Sequence, residues 1–213
     1  MNNRTILVLT VVDLSGSMRG QSASLAQVQL QELLAQMQNA EQRSGNRVIV
    51  GIIGFNTTAF WLMEPVEAGA LNDPPRLTVK PNADGFYPRT SYTVMLGAVH
   101  KNLCELMSGS RFGTIDDAHI ILISDGYSTD TEEDLKREMD QFQNSRGYDK
   151  DRCQFYLVGD DLDIDQPIEY RKWFVQAFVG AEFNWVKTSD SAGLFARIFG
   201  SILDGGSGPV GVF

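Results

Sequence analysis

The segment "TILVLTVVDLSGS", residues 5–17, passes from an apolar run directly into three oxygen-bearing side chains. The apolar part, residues 5–12, is rich in β-branched residues and carries apolar side chains on both faces, which favours a strand buried within a sheet. Asp13, Ser15 and Ser17 follow it at alternate positions. We therefore expect a buried strand that ends in a polar turn.

Apolar runs alternate with segments of helical periodicity along the rest of the chain. Five further runs indicate strands, at residues 47–55, 57–63, 118–124, 152–159 and 183–188. Helical spacing of apolar residues predicts helices at residues 22–43, 91–107, 131–145, 168–179 and 189–203. This alternation predicts an α/β fold with a doubly wound, mostly parallel sheet of about six strands and helices on both faces. We expect one short antiparallel strand at an edge of the sheet, and the run at residues 57–63 to lie at an edge.

The length of 213 residues suits one domain with a full hydrophobic core. We expect that domain to span residues 1–204, and the Gly-rich residues 205–213 to form a flexible tail. Residues 64–89 contain five of the seven prolines and show little periodicity. They predict a long surface excursion, which in a compact domain is usually functional.

The charge and the cysteine content exclude several classes of function. A net charge of −9 argues against nonspecific binding to nucleic acid or to an anionic membrane. No apolar run approaches the length of a membrane span and the N-terminus lacks a signal-peptide layout, so we expect a cytoplasmic protein. Cys104 and Cys153 cannot form a disulfide framework, nor a zinc cluster with only His100 and His119. We expect two reduced, buried thiols and two structural histidines.

A second polar loop follows a later apolar run. "IILISDGYSTD", residues 120–130, places Asp125 directly after the strand that ends at Ser124. Because ligands of doubly wound sheets bind at the carboxyl ends of the strands, Asp125 is expected near Asp13. Two carboxylates and the hydroxyls of Ser15 and Ser17 would form an all-oxygen set, which selects magnesium, manganese or calcium over zinc.

Structural interpretations compete with this site. Asp13 and Ser15 could cap the helix that follows them. Thr129, with Glu132 three residues later, has the spacing of a capping box. The acidic run "DDLDID" at residues 160–165 does not predict a calcium loop, because the glycine and the bidentate acid that such a loop requires are missing.

The two polar loops carry a resemblance to a known family. "DLSGS", residues 13–17, resembles the D-x-S-x-S signature of von Willebrand factor type A domains, and "SDG", residues 124–126, resembles their second aspartate loop. The resemblance runs over nearly the whole chain, and "GDDLDID" with a last helix near Leu194 is similar to bacterial intracellular members of the tellurite-resistance type. It implies a Rossmann-like fold, a metal-ion-dependent adhesion site, and kinases or phosphatases as neighbours.

The resemblance also implies a ligand set. The family's adhesion site uses the first aspartate, both serines, a threonine from an intervening loop and the later aspartate. Residue by residue, this implies Asp13, Ser15, Ser17 and Asp125 as metal ligands.

The threonine ligand has two candidates in the segment "FYPRTSYTVMLGAVHKNL", which lacks the glycine that usually precedes it. If the ligand is Thr90, the residues after it form a good helical apolar stripe, with Ser91 as the N-cap. If it is Thr93, the stripe soon meets the polar Asn102. We favour Thr90, and Thr93 remains the alternative.

The function that this resemblance implies is binding by coordination. Mg²⁺, or alternatively Mn²⁺ or Ca²⁺, would bind a partner protein's Asp or Glu as its remaining ligand. The alternative is Mg²⁺-dependent phosphoryl transfer or hydrolysis on a Rossmann-like fold. The chain has no phosphate-binding loop of the Walker type, and Ser15 stands where a D-x-D enzyme carries its second acid. We expect a protein-interaction module and not an enzyme, with the excursion at residues 64–89 as the source of partner specificity.

Overall fold

The computed structural model describes residues 3–71, 73–109, 111–125, 128–145, 149, 152–159, 184–187 and 200. Several sequence predictions therefore lie outside the described residues. They are the helix at residues 168–179, the helix at residues 189–203 apart from Gly200, the acidic run at residues 160–165 and the tail at residues 205–213.

The described chain forms one six-stranded sheet with helices beside it. The strands are β1 (Thr5–Asp13), β2 (Arg47–Phe55), β3 (Ala59–Glu67), β4 (Asp117–Ser124), β5 (Cys153–Gly159) and β6 (Asn184–Lys187), and the helices are α1 (Gln21–Ser44), α2 (Tyr92–Met107) and α3 (Glu132–Gln143). The strand order is β3-β2-β1-β4-β5-β6. Every pairing is parallel except that of β2 with β3, so the predicted fold class is confirmed. Residues 59–63 of the predicted run belong to the antiparallel edge strand, which has nine residues like β1 and is not short as predicted.

The apolar character of β1 on both faces follows from its central position. Leu7 belongs to a cluster that includes α2 and α3, whereas Val8 belongs to the cluster that includes α1. Successive side chains of a strand point to opposite faces, so a continuous apolar run is what a strand covered on both faces requires. Helices on both faces hold the strand that carries Asp13.

Local sequence explains where the helices begin and end. α1 ends at Gly45, which adopts the left-handed conformation (φ 71°) and donates its N–H to the carbonyl of Glu41. Ser91 caps α2, as predicted, by accepting a hydrogen bond from the N–H of Val94. The cap of α3 is Thr131 and the predicted capping box at Thr129 is wrong, because the helix begins two residues later than that box requires.

The excursion begins later in the chain than predicted. β3 continues through Pro65 to Glu67 and is followed by a short 3-10 helix, so the irregular segment starts at Leu71. Proline is tolerated here because β3 is an edge strand with an irregular register against β2. The excursion contacts α1 through Gln27, whose side chain accepts from the N–H of Leu77 (2.7 Å) and donates to the carbonyl of Pro75 (3.2 Å).

The cysteines and histidines pack within the fold. Both cysteines are free thiols, but only Cys153 is buried, and burial raises its pKa to about 11. Cys104 is partly exposed, contrary to the expectation of two buried thiols. His119 is buried in β4 with its Nδ1 3.1 Å from the hydroxyl of Tyr156, and burial lowers its pKa to about 4. No helix in the described part of the chain is long and apolar enough to cross a membrane.

Candidate metal centre

The sheet topology brings the two polar loops to one edge. β1 lies between β2 and β4, and Val12 is in register with both Gly54 and Ile123. Asp13 and Ser124 each follow these paired residues, so both strands end at the same level. From β1 the chain proceeds to β2 on one side and later to β4 on the other, which makes this edge a topological switch point.

Asp13 is buried and accepts two hydrogen bonds from the two loops. Its Oδ1 accepts from the backbone N–H of Ser15 (2.8 Å), and its Oδ2 accepts from the hydroxyl of Ser124 (2.8 Å). The Ser124 hydroxyl also lies 2.9 Å from the hydroxyl of Tyr92 at the start of α2. Three elements therefore fix the orientation of this carboxylate.

The two serines lie together in a short turn between β1 and α1. Their hydroxyl oxygens are 2.9 Å apart; Ser15 is buried, whereas Ser17 is exposed. Gly20 is the N-cap of α1 and no side chain caps that helix, so the capping interpretation of Asp13 and Ser15 is wrong. The turn presents oxygen atoms both to the interior and to the solvent.

Asp125 provides a second buried carboxyl close to Asp13. It is only 1% exposed and lies directly after β4. Burial raises the pKa of Asp13 to about 6, and the negative charge of Asp125 adds to the increase, whereas the N–H of Ser15 and the hydroxyl of Ser124 oppose it. Two neighbouring buried carboxyls repel each other when both are ionised, and a bound cation would remove that repulsion.

The two threonine candidates have different surroundings. Thr90 is buried on a segment that contacts both loops: the carbonyl of Pro88 accepts from the N–H of Gly16 (2.9 Å), and the carbonyl of Thr90 accepts from both the N–H (2.9 Å) and the hydroxyl (2.8 Å) of Thr129. Thr93 instead donates from its N–H to Asp130 (2.9 Å).

The hydroxyl of Thr93 is also directed to Asp130, at 3.2 Å, and the hydroxyl of Ser91 donates to the same carboxylate at 2.9 Å. Asp130 thus fastens the start of α2 to the loop after β4. The backbone segment at Thr90 is held from both sides.

Three residues that organise this region have no role predicted from the sequence, namely Ser124, Tyr92 and Asp130. Ser124 directly precedes Asp125, so its position at a strand end was the available signal. Tyr92 is a buried residue at the start of α2, and its hydroxyl contact with Ser124 joins residues that are 32 positions apart. Nothing in the local pattern marks Asp130.

The chemistry of the donor set decides which metals fit. Among the described residues, no three or more His, Cys, Asp or Glu side chains group so as to hold a metal ion. A cation at this edge would therefore depend on two carboxylates together with hydroxyl oxygens. Such a set fits a hard cation such as Mg²⁺ and does not fit zinc, which prefers nitrogen and sulfur.

Comparison with known proteins identifies the fold. No family model matches the chain, and no curated protein sequence matches it. Similar solved structures include the pilus adhesin SpaC from Lactobacillus rhamnosus GG (15% identity, TM-score 0.66, 96% of this chain and 31% of that chain). A von Willebrand factor type A protein from Catenulispora acidiphila is similar over 94% of this chain and 43% of that chain (13% identity, TM-score 0.59).

A third similar structure is BatB from Bacteroides thetaiotaomicron, with 15% identity and a TM-score of 0.56 over 94% of this chain and 100% of that chain. The chain thus spans less than half the length of the adhesin and of the Catenulispora protein. At these identities the likeness is one of fold. The chain has a von Willebrand factor type A-like, Rossmann-like fold.

Proposed function

We propose that this chain is a metal-dependent protein-interaction module. Mg²⁺, with Mn²⁺ or Ca²⁺ as alternatives, is held by Asp13, Ser15, Ser17, Thr90 and Asp125. An Asp or Glu side chain of a partner protein supplies a further ligand. The module recognises its partner by coordination, so removal of the metal releases the partner.

The observation that carries this proposal is the pair of buried carboxyls at the switch point of the sheet. Asp13 is completely shielded from solvent, and its pKa is raised to about 6 by burial and by the charge of Asp125. Ionised carboxyls at such buried positions destabilise the metal-free fold, and functional sites commonly contain groups with shifted pKa values.

Each proposed ligand has a distinct role. Asp13 and Asp125 balance the charge of a divalent cation, and the hydroxyls of Ser15, Ser17 and Thr90 add neutral oxygen ligands. The bound ion supplies a Lewis-acidic position that attracts a third carboxylate from outside. The exposure of Ser17, whose hydroxyl oxygen lies 2.9 Å from that of the buried Ser15, supports this role, because it places one proposed ligand where a partner can approach.

The surroundings of the threonines support Thr90 over Thr93 as the ligand. Thr90 is buried on the segment that bonds to Gly16 on one side and to Thr129 on the other. The hydroxyl of Thr93 is directed to Asp130 and is therefore engaged elsewhere.

We propose binding and not catalysis. The three loops, at residues 13–20, 88–91 and 124–130, contain no histidine or cysteine to act as base or nucleophile. The similar structures include a pilus adhesin and a minor pilin, which supports a protein partner. The net charge of −9 supports a partner that is neither nucleic acid nor an anionic membrane.

We also propose a cytoplasmic setting, in a bacterial stress-response or signalling assembly with kinase or phosphatase neighbours. The support for it is the resemblance of the motifs to intracellular, tellurite-resistance-type proteins. Localisation of the tagged protein by cell fractionation tests this part independently of the metal site.

Isothermal titration calorimetry with MgCl₂ after chelator treatment tests the metal site. Wild type is expected to bind one equivalent of Mg²⁺, and Asp13→Asn to bind none. Asp140→Asn, which removes an exposed carboxylate on α3, is the matched control and should bind as wild type does. If Asp13→Asn binds Mg²⁺ with wild-type affinity, the proposed site is wrong.

Pull-downs from the native host, with magnesium or with chelator, test the coordination mechanism. Partners should be recovered only by wild type and only with magnesium. Recovery of the same partners by wild type and Asp13→Asn in both conditions would contradict the mechanism, and the domain would then act as a metal-independent scaffold.

A further inference from the structure

Two aromatic side chains lie exposed on the turn that leads to Thr90. Phe86 is 73% exposed and Tyr87 is 40% exposed, and both are among the few large apolar side chains that the described structure leaves in solvent. They precede the segment whose carbonyl at Pro88 accepts from the N–H of Gly16. The segment that carries both aromatic side chains is therefore hydrogen-bonded to the loop of Ser15 and Ser17.

Hydrogen bonds hold this turn in one conformation. The N–H of Asn82 donates to the carbonyl of Phe86 (2.7 Å), and the N–H of Gly85 donates to the carbonyl of Asn82 (2.9 Å). The carboxylate of Asp84 accepts from the N–H of Phe86 (3.0 Å). A surface that is ordered before binding loses less conformational entropy when a partner docks.

The turn also packs closely against the loop that carries the metal ligands. A methyl group placed on Gly16 would lie 2.6 Å from Cβ of Tyr87, so the two backbones approach as closely as a glycine allows. The guanidinium of Arg19 lies 4.5 Å from the centre of the Tyr87 ring. Tyr87, which is next to Phe86 in the turn, is thus packed against the loop that carries Ser15 and Ser17.

Positive charge accompanies the aromatic side chains. Arg19 and Arg89 are both exposed, and within the described part of the chain neither forms an ion pair. Asp84 lies in the same turn, but its carboxylate accepts a backbone hydrogen bond. Two arginines whose charge no described ion pair neutralises therefore lie beside this turn, in a chain with a net charge of −9.

We propose that Arg19, Phe86, Tyr87 and Arg89, termed here the arginine–aromatic surface, bind the residues that flank the partner's metal-binding acid. The partner segment that fits is acidic and carries a large apolar side chain next to the coordinating Asp or Glu. The apolar side chain is buried on Phe86 and Tyr87, and the arginines attract the acidic segment and disfavour a basic one. This inference rests on the proposed function and adds the chemistry of the partner to it.

Arrays of synthetic peptides test the surface directly. Each peptide has one central aspartate, flanked by leucine and phenylalanine, by serine, or by lysine, and a matched set has asparagine at the centre. The purified protein is applied with Mg²⁺ or with chelator. Phe86→Ser tests the surface, and Val28→Ser, which removes another exposed apolar side chain (59% exposed) from α1, is the control.

Wild type is expected to bind the apolar-flanked aspartate peptides about tenfold more tightly than the serine-flanked ones, and the lysine-flanked ones least. Phe86→Ser should lose most of the preference for apolar flanks while it keeps Mg²⁺ affinity in calorimetry. Val28→Ser should keep both the preference for apolar flanks and the Mg²⁺ affinity. Arg19→Gln should reduce the difference in binding affinity between serine-flanked and lysine-flanked peptides.

Two results would overturn the inference, and they can be told apart. If binding needs Mg²⁺ and the central aspartate but is indifferent to the flanks, or if Phe86→Ser keeps the preference, the arginine–aromatic surface is not the docking surface while the proposed function stands. If no peptide binds in a way that needs both Mg²⁺ and the aspartate, the proposed function fails and this inference fails with it.

Discussion

Replacement of Asp13 by asparagine is expected to stabilise the metal-free protein near neutral pH, although it removes a proposed metal ligand. The carboxylate of Asp13 is buried, and ionising it in that environment is costly. Asparagine has nearly the same shape and no charge. It therefore removes the electrostatic cost and retains the packing at the end of β1.

The magnitude follows from the pKa of Asp13, which burial raises from 3.8 to about 6. At about 1.4 kcal/mol per pKa unit, ionisation of this group costs the folded state about 3 kcal/mol. Asparagine at this position makes a hydrogen bond of poorer geometry with Ser124, and this loss offsets about 1 kcal/mol of the gain from removing the charge. The net gain of about 2 kcal/mol should raise Tm by roughly 4–8 °C in a chain of this size.

The sign of the pH dependence is fixed by the direction of the shift. The folded protein holds the proton of the Asp13 carboxyl more tightly than the unfolded chain does. The contribution of protonated Asp13 to stability is therefore fully present below pH 3.8 and is lost as the pH rises through about 6. Asp13→Asn does not titrate at this position. The stability difference between variant and wild type should therefore be small near pH 4 and reach its full size above pH 6.

Urea and thermal denaturation in excess chelator, at a series of pH values, measure this difference. Asp140→Asn is the control, because its carboxylate is exposed and should change stability little. In saturating Mg²⁺ the order should reverse: wild type gains about 2.7 kcal/mol at a metal concentration of 100 times Kd, and the variant gains nothing. A variant that is less stable than wild type in chelator at neutral pH would refute the reasoning that Asp13 is a strained, buried carboxylate.

Three further outcomes are expected. In the Asp13→Asn background, the free energy of unfolding should fall by up to about 3 kcal/mol between pH 6.5 and pH 4. The reason is that His119 is protonated at a higher pH in the unfolded chain than in the folded protein, where burial lowers its pKa to about 4. Urea denaturation of the same variant with His119→Phe added should lack this fall. Gly16→Ala should destabilise the fold by about 1–3 kcal/mol and lower Mg²⁺ affinity in calorimetry, because the added methyl group would displace Tyr87. If the variant binds Mg²⁺ with wild-type affinity, the turn that carries Tyr87 and the metal site are independent. Thr131→Ala should cost about 1 kcal/mol in thermal unfolding through loss of the α3 cap, with Mg²⁺ affinity unchanged.

Within the described residues, the sequence by itself determined the strands of the sheet, the helices α1, α2 and α3, and the position of the polar turn. Residues 47–55 were predicted with the bounds that the structure gives to β2, and α1 and α2 begin and end within a residue or so of their predictions. Whether a short segment forms a strand or a helix depends on its own side chains and on whether one or both of its faces are buried. The periodicity of apolar residues records this directly. The metal ligands remain predictions, carried by two short motifs.

Only the tertiary structure decided which polar groups meet at the edge of the sheet. The bond from Ser124 to Asp13 joins residues 111 positions apart, and the bond from Thr129 to Thr90 joins residues 39 positions apart. In sequence, Thr129 had the spacing of a helix cap, but its hydroxyl donates to the carbonyl of Thr90 and Thr131 caps α3. A hydroxyl can bond to any acceptor within about 3 Å, so its partner is fixed by the packing of whole strands and helices and not by its neighbours in the chain.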